Sequence, residues 1–258
     1  MQSKPASRLA VIPVIRRRKE RRRMKGLNRL LAIPGMFLLV IVLLITSFQL
    51  VIYGDPSYRF YEKEYEKYHV TASLHMSMED VMEVTEHMMD YLIGKEEKLS
   101  IVTDVDGREQ DFFNEQDRLH MADVKKLFLG GLKLRAVFLM LAIVLLMLAG
   151  VKAGRKRISR QFFEAYSIAL GVFLGLLLFL GVAFAIDFTA CFTVFHEIFF
   201  TNDLWLFDPS VDYMIRMLPE GFFSDMVLRI GAVFVGMLIF VWMILYVWKK
   251  HDINKCKL

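Results

Sequence analysis

The chain alternates between long apolar stretches and charged segments, and four uncharged hydrophobic stretches stand out along its length. A helix rises about 1.5 Å per residue, so roughly 20 apolar residues cross the hydrocarbon of a bilayer. The second stretch is short and is completed N-terminally, where Lys133 and Arg135 can extend their charges toward the headgroups. The pattern therefore predicts four transmembrane helices, which lie at 30–53, 132–151, 162–187 and 228–248.

Lysine and arginine cluster in three short segments beside the predicted helices. These are a basic arm at 1–29, a loop at 152–161 and a tail at 249–258. Because short loops rich in Lys and Arg stay on the cytoplasmic side, both termini are predicted to be cytoplasmic. A head at 54–131 and an aromatic-rich loop at 188–227 are then predicted to be extracytoplasmic.

The composition agrees with a membrane protein, because 55% of the 258 residues are hydrophobic and the mean hydropathy is +0.40. This apolar content excludes an ordinary soluble domain. We predict an all-α multi-pass membrane protein with a small α+β head between the first two spans. The net charge of +5 comes from the basic segments. They favour membrane lipid as a partner and not nucleic acid, because no nucleic-acid-binding motif accompanies them.

The head contains short signals for helices and for one hairpin. Ser77 is followed by acidic residues and an apolar pattern at helical spacing, so it is predicted to begin a helix that ends at Gly94. Asp106 and Gly107 form a dipeptide that tight hairpin turns favour, because both central residues take positive φ. Asn114 is predicted to cap a further helix that continues toward the second span.

The loop between the third and fourth spans also carries boundary signals. Asp208 and Pro209 are predicted to begin a short amphipathic helix that ends at Pro219, and Ser224 is predicted to cap the fourth span. Aromatic side chains are enriched at membrane interfaces, so four of them are predicted to cluster at headgroup depth. They are Trp205, Phe207, Phe222 and Phe223.

One histidine lies where the third apolar stretch gives way to the polar loop. His196 is surrounded in sequence by Phe192, Phe195, Phe199 and Phe200. Partial desolvation lowers a histidine pKa and favours the neutral ring that can accept a proton. We interpret His196 as half of a catalytic centre. The alternative is a phenylalanine-rich interfacial belt that holds one polar ring.

A second histidine lies at a similar predicted depth on the same side of the membrane. His120 shares a helix face with Asp123, Val124 and Leu127, so a carboxylate lies within reach and can fix the ring tautomer. Its helix runs almost directly into the second span. His120 and His196 are therefore the candidate catalytic residues, and the other four histidines are interpreted as structural.

Metal binding is the main competing interpretation of these histidines. His196 and Glu197 match the first two positions of the zinc-protease pattern H-E-x-x-H, but Phe200 occupies the place of its second histidine. Two histidines with Asp123 or Asp203 could supply three zinc ligands, although no spacing requires it. We predict no metal and no cofactor. A membrane metallohydrolase and a non-enzymatic envelope protein with a partner-docking head are kept as alternatives.

Four segments, taken in order, resemble a known family. They are RLHMADVKKLF at 118–128, FHEIFFTND at 195–203, WLFDP at 205–209 and MLPEGFF at 217–223. Together they are similar to the family of bacterial integral membrane proteins that includes the lipoprotein intramolecular transacylase. The similarity extends from the first span to the fourth and leaves only the basic N-terminal arm outside it.

The resemblance implies an acyltransferase of the bacterial cell membrane. The expected reaction moves the sn-2 acyl chain of a diacylglyceryl-modified lipoprotein cysteine onto that cysteine's own α-amino group, giving an N-acyl, S-monoacylglyceryl (lyso-form) lipoprotein. The family's two catalytic histidines correspond to His120 and His196. By their positions in the sequence, Asp123, Asn202 and Asp203 are candidate supporting residues. No cofactor is implied, and the oligomeric state is left open.

Overall fold

The computed structural model describes residues 11–153 and 158–255, with side chains described for 28–151, 153 and 158–254. The predicted basic segments at 1–29, 152–161 and 249–258 each extend into residues outside these ranges. The helices before the sheet are α1 Val11–Tyr53, α2 Arg59–Lys67, α3 Val70–Leu74 and α4 Met78–Ile93. The sheet is β1 Val102–Val105 and β2 Arg108–Asp111. The later helices are α5 Glu115–Ala153, α6 Ile158–Ile186, α7 Phe188–Phe199, α8 Tyr213–Met217 and α9 Glu220–Lys255.

Four of these helices are long and apolar enough to cross a membrane, which confirms the predicted fold class. Their candidate spans are Asn28–Tyr53, Glu115–Val151, Ile158–Ile186 and Glu220–Asn254, with a hydropathy of 2.6 to 2.7. The helices continue past the apolar stretches that predicted them. In particular, the helix capped by Asn114 and the second span form one uninterrupted helix, α5. His120 is therefore carried by the same helix as the second span.

One compact unit combines α1 up to Leu43, Val137–Leu174 and α9 from Met237. Small side chains let its helices approach closely, since a Cβ added at Gly35 would lie 3.0 Å from the Leu146 side chain. The hydroxyl of buried Tyr166 donates to the Leu238 carbonyl at 2.9 Å. These contacts join the apolar parts of its helices.

The other compact unit comprises Leu44–Ala136 and Gly175–Gly236. Its apolar core is formed by α2, α3, α4, the hairpin, α8 and the first turns of α9. Tyr65 is fully buried there, hydrogen-bonds to Thr85 at 2.8 Å and stacks on Phe222 with ring centroids 6.0 Å apart. The ring of Phe222 packs among the tyrosines of α2 and edge-on against Phe223 at 5.6 Å, and the headgroup depth of this aromatic cluster stays a prediction.

The turn and cap signals of the head are confirmed. The Ser77 hydroxyl accepts from the amide of Asp80 at 3.1 Å, and α4 ends at Gly94. Asp106 and Gly107 have φ values of 53° and 72°, the positive pair that a tight hairpin requires and that glycine adopts without strain. The Asn114 side chain caps α5 by accepting from the amide of Asp117 at 2.9 Å.

Two boundaries in the predicted aromatic-rich loop at 188–227 differ from the predictions. Residues Phe188–Phe199 form a helix of their own, because the Asp187 carboxylate accepts from the amide of Ala190 at 2.9 Å and caps it. α9 begins at Glu220, so the predicted N-cap Ser224 lies inside the helix. Pro219 immediately before Glu220 explains the earlier start, because proline is favoured where the amide needs no intrahelical partner.

The predicted helix at Asp208 and Pro209 is also wrong in its start. The Asp208 carbonyl accepts from the amides of Val211 and Asp212 at 3.0 and 2.8 Å, which closes a turn. The Asp212 carboxylate accepts from the Asp208 amide at 2.6 Å, and α8 follows at Tyr213. The Asp208 carboxylate, which indicated a helix start, instead accepts from the amide of Ser210 at 2.9 Å within this turn.

Candidate active site

Two helices bring the predicted catalytic histidines together. His120 lies on the second turn of α5, which Asn114 caps, and His196 lies on the last turn of α7. Their side chains are buried, with only 6% and 8% of their surfaces exposed. The ring centroids are 6.1 Å apart and the ring planes differ by 27°. Two different helices therefore bring the two imidazoles face to face.

Aromatic rings surround this pair of imidazoles. The ring of Phe200 contacts both, with centroid distances of 5.1 Å to His120 and 5.5 Å to His196. The indole of Trp205 stacks on His196 at 4.9 Å, and Phe207 meets His120 edge-on at 5.3 Å. Trp205 and Phe207 thus belong to the histidine site, and their predicted position at headgroup depth stays a prediction. The site is consequently apolar around its two titratable rings.

Phenylalanines of α7 also pack against His196. Phe192 and Phe195 lie 4.1 and 5.4 Å from its ring, as their spacing in sequence indicated. Phe199 instead packs on Phe195 at 4.7 Å and is half exposed. The apolar surroundings of His196 therefore come partly from its own helix.

The protonation of the His196 ring follows from one hydrogen bond. Its Nδ1 lies 2.8 Å from the Phe192 carbonyl oxygen, which can only accept, so Nδ1 carries the proton and donates. In the neutral ring the lone pair is then on Nε2. Burial lowers the pKa of His196, and the hydrogen bond to the Phe192 carbonyl opposes this effect without reversing it. His196 can therefore act as a neutral base through Nε2.

His120 has a different environment. Its Nδ1 is buried and has no hydrogen-bond partner in the described part of the chain. The Asp123 carboxylate, predicted to fix the His120 tautomer, instead accepts from Lys126 at 2.9 Å and from Asn202 at 3.0 Å. The predicted direct contact is therefore wrong, because both carboxylate oxygens are directed to other partners. An unpaired buried ring nitrogen is costly, so it is available to a ligand.

The other two candidate supporting residues lie on the loop after α7. The Asn202 side chain joins this loop to α5 through Asp123, and its Oδ1 accepts from the amide of Leu204 at 3.1 Å. Asp203 is exposed, and its backbone carbonyl accepts from the amide of Leu206 at 3.1 Å. Asn202 therefore positions the loop, whereas the Asp203 side chain makes no hydrogen bond or ion pair with the described residues.

Sequence reasoning missed a residue that holds the same loop. The Gln116 amide donates to the carbonyls of Leu204 and Leu206 at 3.1 and 3.0 Å, on either side of Trp205. Gln116 lies one turn before His120 on α5. The loop backbone around the indole is thus attached to the helix that carries His120. No local signal could reveal this contact, because the partners are 88 and 90 residues apart in sequence.

The same part of the chain can be searched for metal ligands. Among the described residues, no group of three or more His, Cys, Asp or Glu side chains is arranged to hold a metal ion. Asp203, one of the ligands considered from sequence, is exposed, and Asp123 is engaged with Lys126 and Asn202. The geometry therefore presents a pair of imidazoles rather than a three-ligand set.

The family assignment rests on residues 33–223, which match the family model described as lipoprotein intramolecular transacylase Lit. The chain belongs to this family. The matched range contains both histidines and the loop that covers them, and the family is one of acyltransferases. A lipoprotein is accordingly the class of substrate that the family description names.

Solved structures agree with the family assignment at the level of fold. The lipoprotein intramolecular transacylase Lit from Bacillus cereus superposes with a TM-score of 0.70 at 22% identity, over 90% of this chain and 99% of that chain. A variant of it with a histidine replaced by arginine gives a TM-score of 0.67 at 19% identity, over 93% and 98%. A variant with alanine gives 0.65 at 19% identity, over 90% and 96%. No curated protein sequence matches this chain.

Proposed function

We propose that this protein moves the sn-2 acyl chain of a diacylglyceryl-cysteine lipoprotein onto the α-amino group of the same cysteine. The observation that carries the proposal is the pair of buried imidazoles, His120 and His196, with ring centroids 6.1 Å apart. Acyl transfer to an amine requires a base for the amine proton and a donor for the developing oxyanion. Two neutral imidazoles held this close together can divide these roles.

His196 is the residue that we assign as the base. With Nδ1–H donated to the Phe192 carbonyl, its Nε2 can take a proton from the attacking amine. The amine nitrogen then bonds to the ester carbonyl carbon, and a tetrahedral intermediate forms. As the bond from this carbon to the glycerol sn-2 oxygen breaks, the protonated ring returns the proton to that oxygen. The products are an amide and a free hydroxyl, and such general acid–base catalysis contributes about 10² to 10⁴ in rate.

His120 is the residue that we assign to the oxyanion. A neutral imidazole donates one N–H, and the buried Nδ1 of His120 has no partner among the described residues that would compete for it. Removing one donor to an oxyanion typically lowers the rate by about 10² to 10³. The surrounding rings of Phe200 and Phe207 exclude water, which would otherwise hydrolyse the ester.

Orientation and partners complete the proposal. The basic segments at the termini and between the second and third spans support a cytoplasmic location for both termini. The histidine site would then lie on the extracytoplasmic side of the bacterial cell membrane, where diacylglyceryl-modified lipoproteins are exposed. Because the amine and the ester belong to one substrate molecule, proximity is supplied without an acyl-enzyme intermediate.

The proposal is tested by mass spectrometry of the N-terminal lipopeptide of a reporter lipoprotein, made in cells that lack other N-acylating enzymes. The wild type should convert the diacylglyceryl form into the N-acyl, S-monoacylglyceryl form. His120→Gln and His196→Gln, present at normal levels, should each lose at least about 10² in rate. His69→Asn is the matched control, because His69 is an exposed histidine of the head in a left-handed conformation that asparagine tolerates.

A wild type that leaves the lipopeptide unchanged would refute the reaction, and full activity in either site variant would refute the assigned roles. The pH profile separates the two histidines further. The free α-amino group has a pKa of about 7.7 to 8.0, so rates are divided by its neutral fraction. Because the pKa of His196 is lowered, the corrected rate should be constant near pH 7 and fall only as the pH drops below about 6.5. His196→Gln should remove this acidic decrease from the residual activity.

A further inference from the structure

A second candidate ligand site lies away from the histidines, in a cavity of about 310 Å³. It lies between the end of α1, the start of α2 and Arg229 of α9. Its charged wall contains Asp55, Arg59 and Arg229, and its apolar wall includes Leu50 and Val51 of α1. None of its lining residues contacts His120 or His196. The reaction proposed above leaves this cavity without a role.

The charged wall carries more positive than negative charge. Arg59 pairs with Asp55 at 2.9 Å, and both side chains remain open to solvent on one side. The Arg229 guanidinium lies 4.6 Å from the ring centroid of Phe60, and no carboxylate pairs with it among the described side chains. A guanidinium held over an aromatic ring keeps its in-plane N–H donors free. Arg229 can therefore offer these donors to an anion in the cavity.

The backbone of α2 adds one further donor to the same wall. Tyr58 precedes the helix with φ 47° and ψ 33°, a left-handed conformation that is uncommon for a tyrosine. The amides of Tyr61 and Glu62 bond to the Tyr58 carbonyl at 2.8 and 3.2 Å. The first amides of an α-helix have no intrahelical acceptor, and that of Arg59 is directed to the Asp55 carboxylate. The amide of Phe60 remains at the helix end, where anions are favoured.

The opposite wall is typical of a lipid-facing surface. Leu50 belongs to the last turns of the first apolar stretch and half of its surface is exposed, whereas the neighbouring Val51 is buried. Arg229 directly precedes the fourth uncharged stretch, which begins at Ile230. The cavity therefore lies where apolar helix surface meets charged groups. A ligand that fits both walls has an anionic head and an apolar tail.

We infer that this cavity binds a membrane glycerophospholipid, with its phosphodiester on Arg229 and the amide of Phe60, beside the Arg59–Asp55 pair, and an acyl chain along Leu50. The diacylglyceryl-cysteine substrate carries no phosphate, so this ligand differs chemically from the molecule that is acylated. A phosphate diester matches guanidinium and amide donors, and the apolar wall distinguishes a lipid from free phosphate. This inference does not depend on the catalytic roles of the histidines.

The test measures binding to the purified full-length protein in dodecyl maltoside, by the shift of the thermal unfolding midpoint. Dioctanoyl phosphatidylglycerol should raise the midpoint in a saturable way. Dioctanoylglycerol, which has the same tails without phosphate, and inorganic phosphate should each give at most a small part of this shift. In Arg229→Gln the apparent dissociation constant for the phospholipid should increase about tenfold, as expected when a charge-assisted contact is lost.

Two further variants make the result specific. Arg229→Lys keeps the charge and should retain part of the affinity, which separates loss of the cation from loss of fold. Arg108→Gln removes an exposed arginine of the hairpin and should bind like the wild type. An unchanged dissociation constant in Arg229→Gln would overturn the inference. If dioctanoylglycerol raised the unfolding midpoint as much as the phospholipid does, the cavity would be an apolar groove. If inorganic phosphate did so, the cavity would be a site for a free anion. Either result would contradict the inference.

Discussion

The loop that covers the histidines is held by a side chain whose removal leaves the catalytic groups in place. Gln116 donates to the Leu204 and Leu206 carbonyls, and Trp205 between them stacks on His196. We therefore consider Gln116→Leu, which keeps the size of the side chain and removes both donors. The α5 helix should be unaffected, because leucine has a helix propensity similar to that of glutamine.

The expected magnitude follows from the two lost hydrogen bonds. Each contributes about 0.5 to 1.5 kcal/mol net, so the pair is worth about 1 to 3 kcal/mol. The contact with Leu206 is solvent-exposed and can be replaced by water, so the lower part of this range applies. If the loop position over the histidines loses about 1.4 kcal/mol, the equilibrium constant between the bound and the detached loop falls tenfold. We expect acyl transfer to fall by up to about tenfold, because the loop shields the acyl-transfer site in this position.

Product analysis distinguishes positioning from general destabilisation. If the loop excludes water, Gln116→Leu should also release free fatty acid from the diacylglyceryl lipopeptide, a product that mass spectrometry separates from the N-acylated form. Gln110→Leu is the matched control. The Gln110 amide also donates two hydrogen bonds, to the Val105 carbonyl at 3.3 Å and the Tyr213 hydroxyl at 3.0 Å, and it contacts neither histidine. Equal losses of transfer in both variants at equal unfolding midpoints would refute the reasoning.

Two further predictions concern packing and orientation. A Cβ at Gly221 would lie 2.3 Å from a ring carbon of Tyr68, so Gly221→Ala should destabilise the protein by about 1 to 3 kcal/mol in thermal unfolding. Gly231→Ala, where the added Cβ meets nothing within 4 Å, should stay within about 0.5 kcal/mol of the wild type, and equal effects would contradict the packing argument. With the native cysteines replaced, a membrane-impermeant maleimide on intact cells should label Glu97→Cys and not His251→Cys; the reverse pattern would invert the proposed orientation.

Features that depend on nearby residues were predictable from the sequence. The four apolar helices follow from hydropathy, because backbone groups inside a bilayer must be paired within one segment. Backbone geometry alone favours the hairpin turn at Asp106 and Gly107. The cap at Ser77 needs only a hydrogen bond to the amide three residues later. The candidate histidines could be selected for a similar reason, since the phenylalanines around His196 are largely its neighbours on α7.

Features that depend on distant partners were not predictable. Asp123 lies within helical reach of His120, yet its carboxylate binds Asn202, 79 residues away in sequence. Ser224 has the side chain of an N-cap, but Pro219 starts the helix earlier. Asp123 thus has a different partner from the one that its sequence position suggested, and Ser224 is not used as a cap. A tertiary contact or a stronger helix-start signal decides the outcome, and a single sequence does not rank these alternatives.

An acyl-transfer site needs a base in the right protonation state and an apolar cover. In this chain the first depends on neighbouring residues, and the second depends on residues that are distant in sequence. The proton arrangement of His196 is fixed within one helical turn, by a carbonyl four residues earlier in α7. The apolar cover is non-local, because Trp205 and Phe207 reach the histidines only through a loop that Gln116 attaches to α5. Mutations in the loop should therefore change access of water to the site more than the basicity of His196. For this reason a changed ratio of hydrolysis to transfer, with an unchanged acidic limb of the pH profile, is the expected signature of a loosened loop.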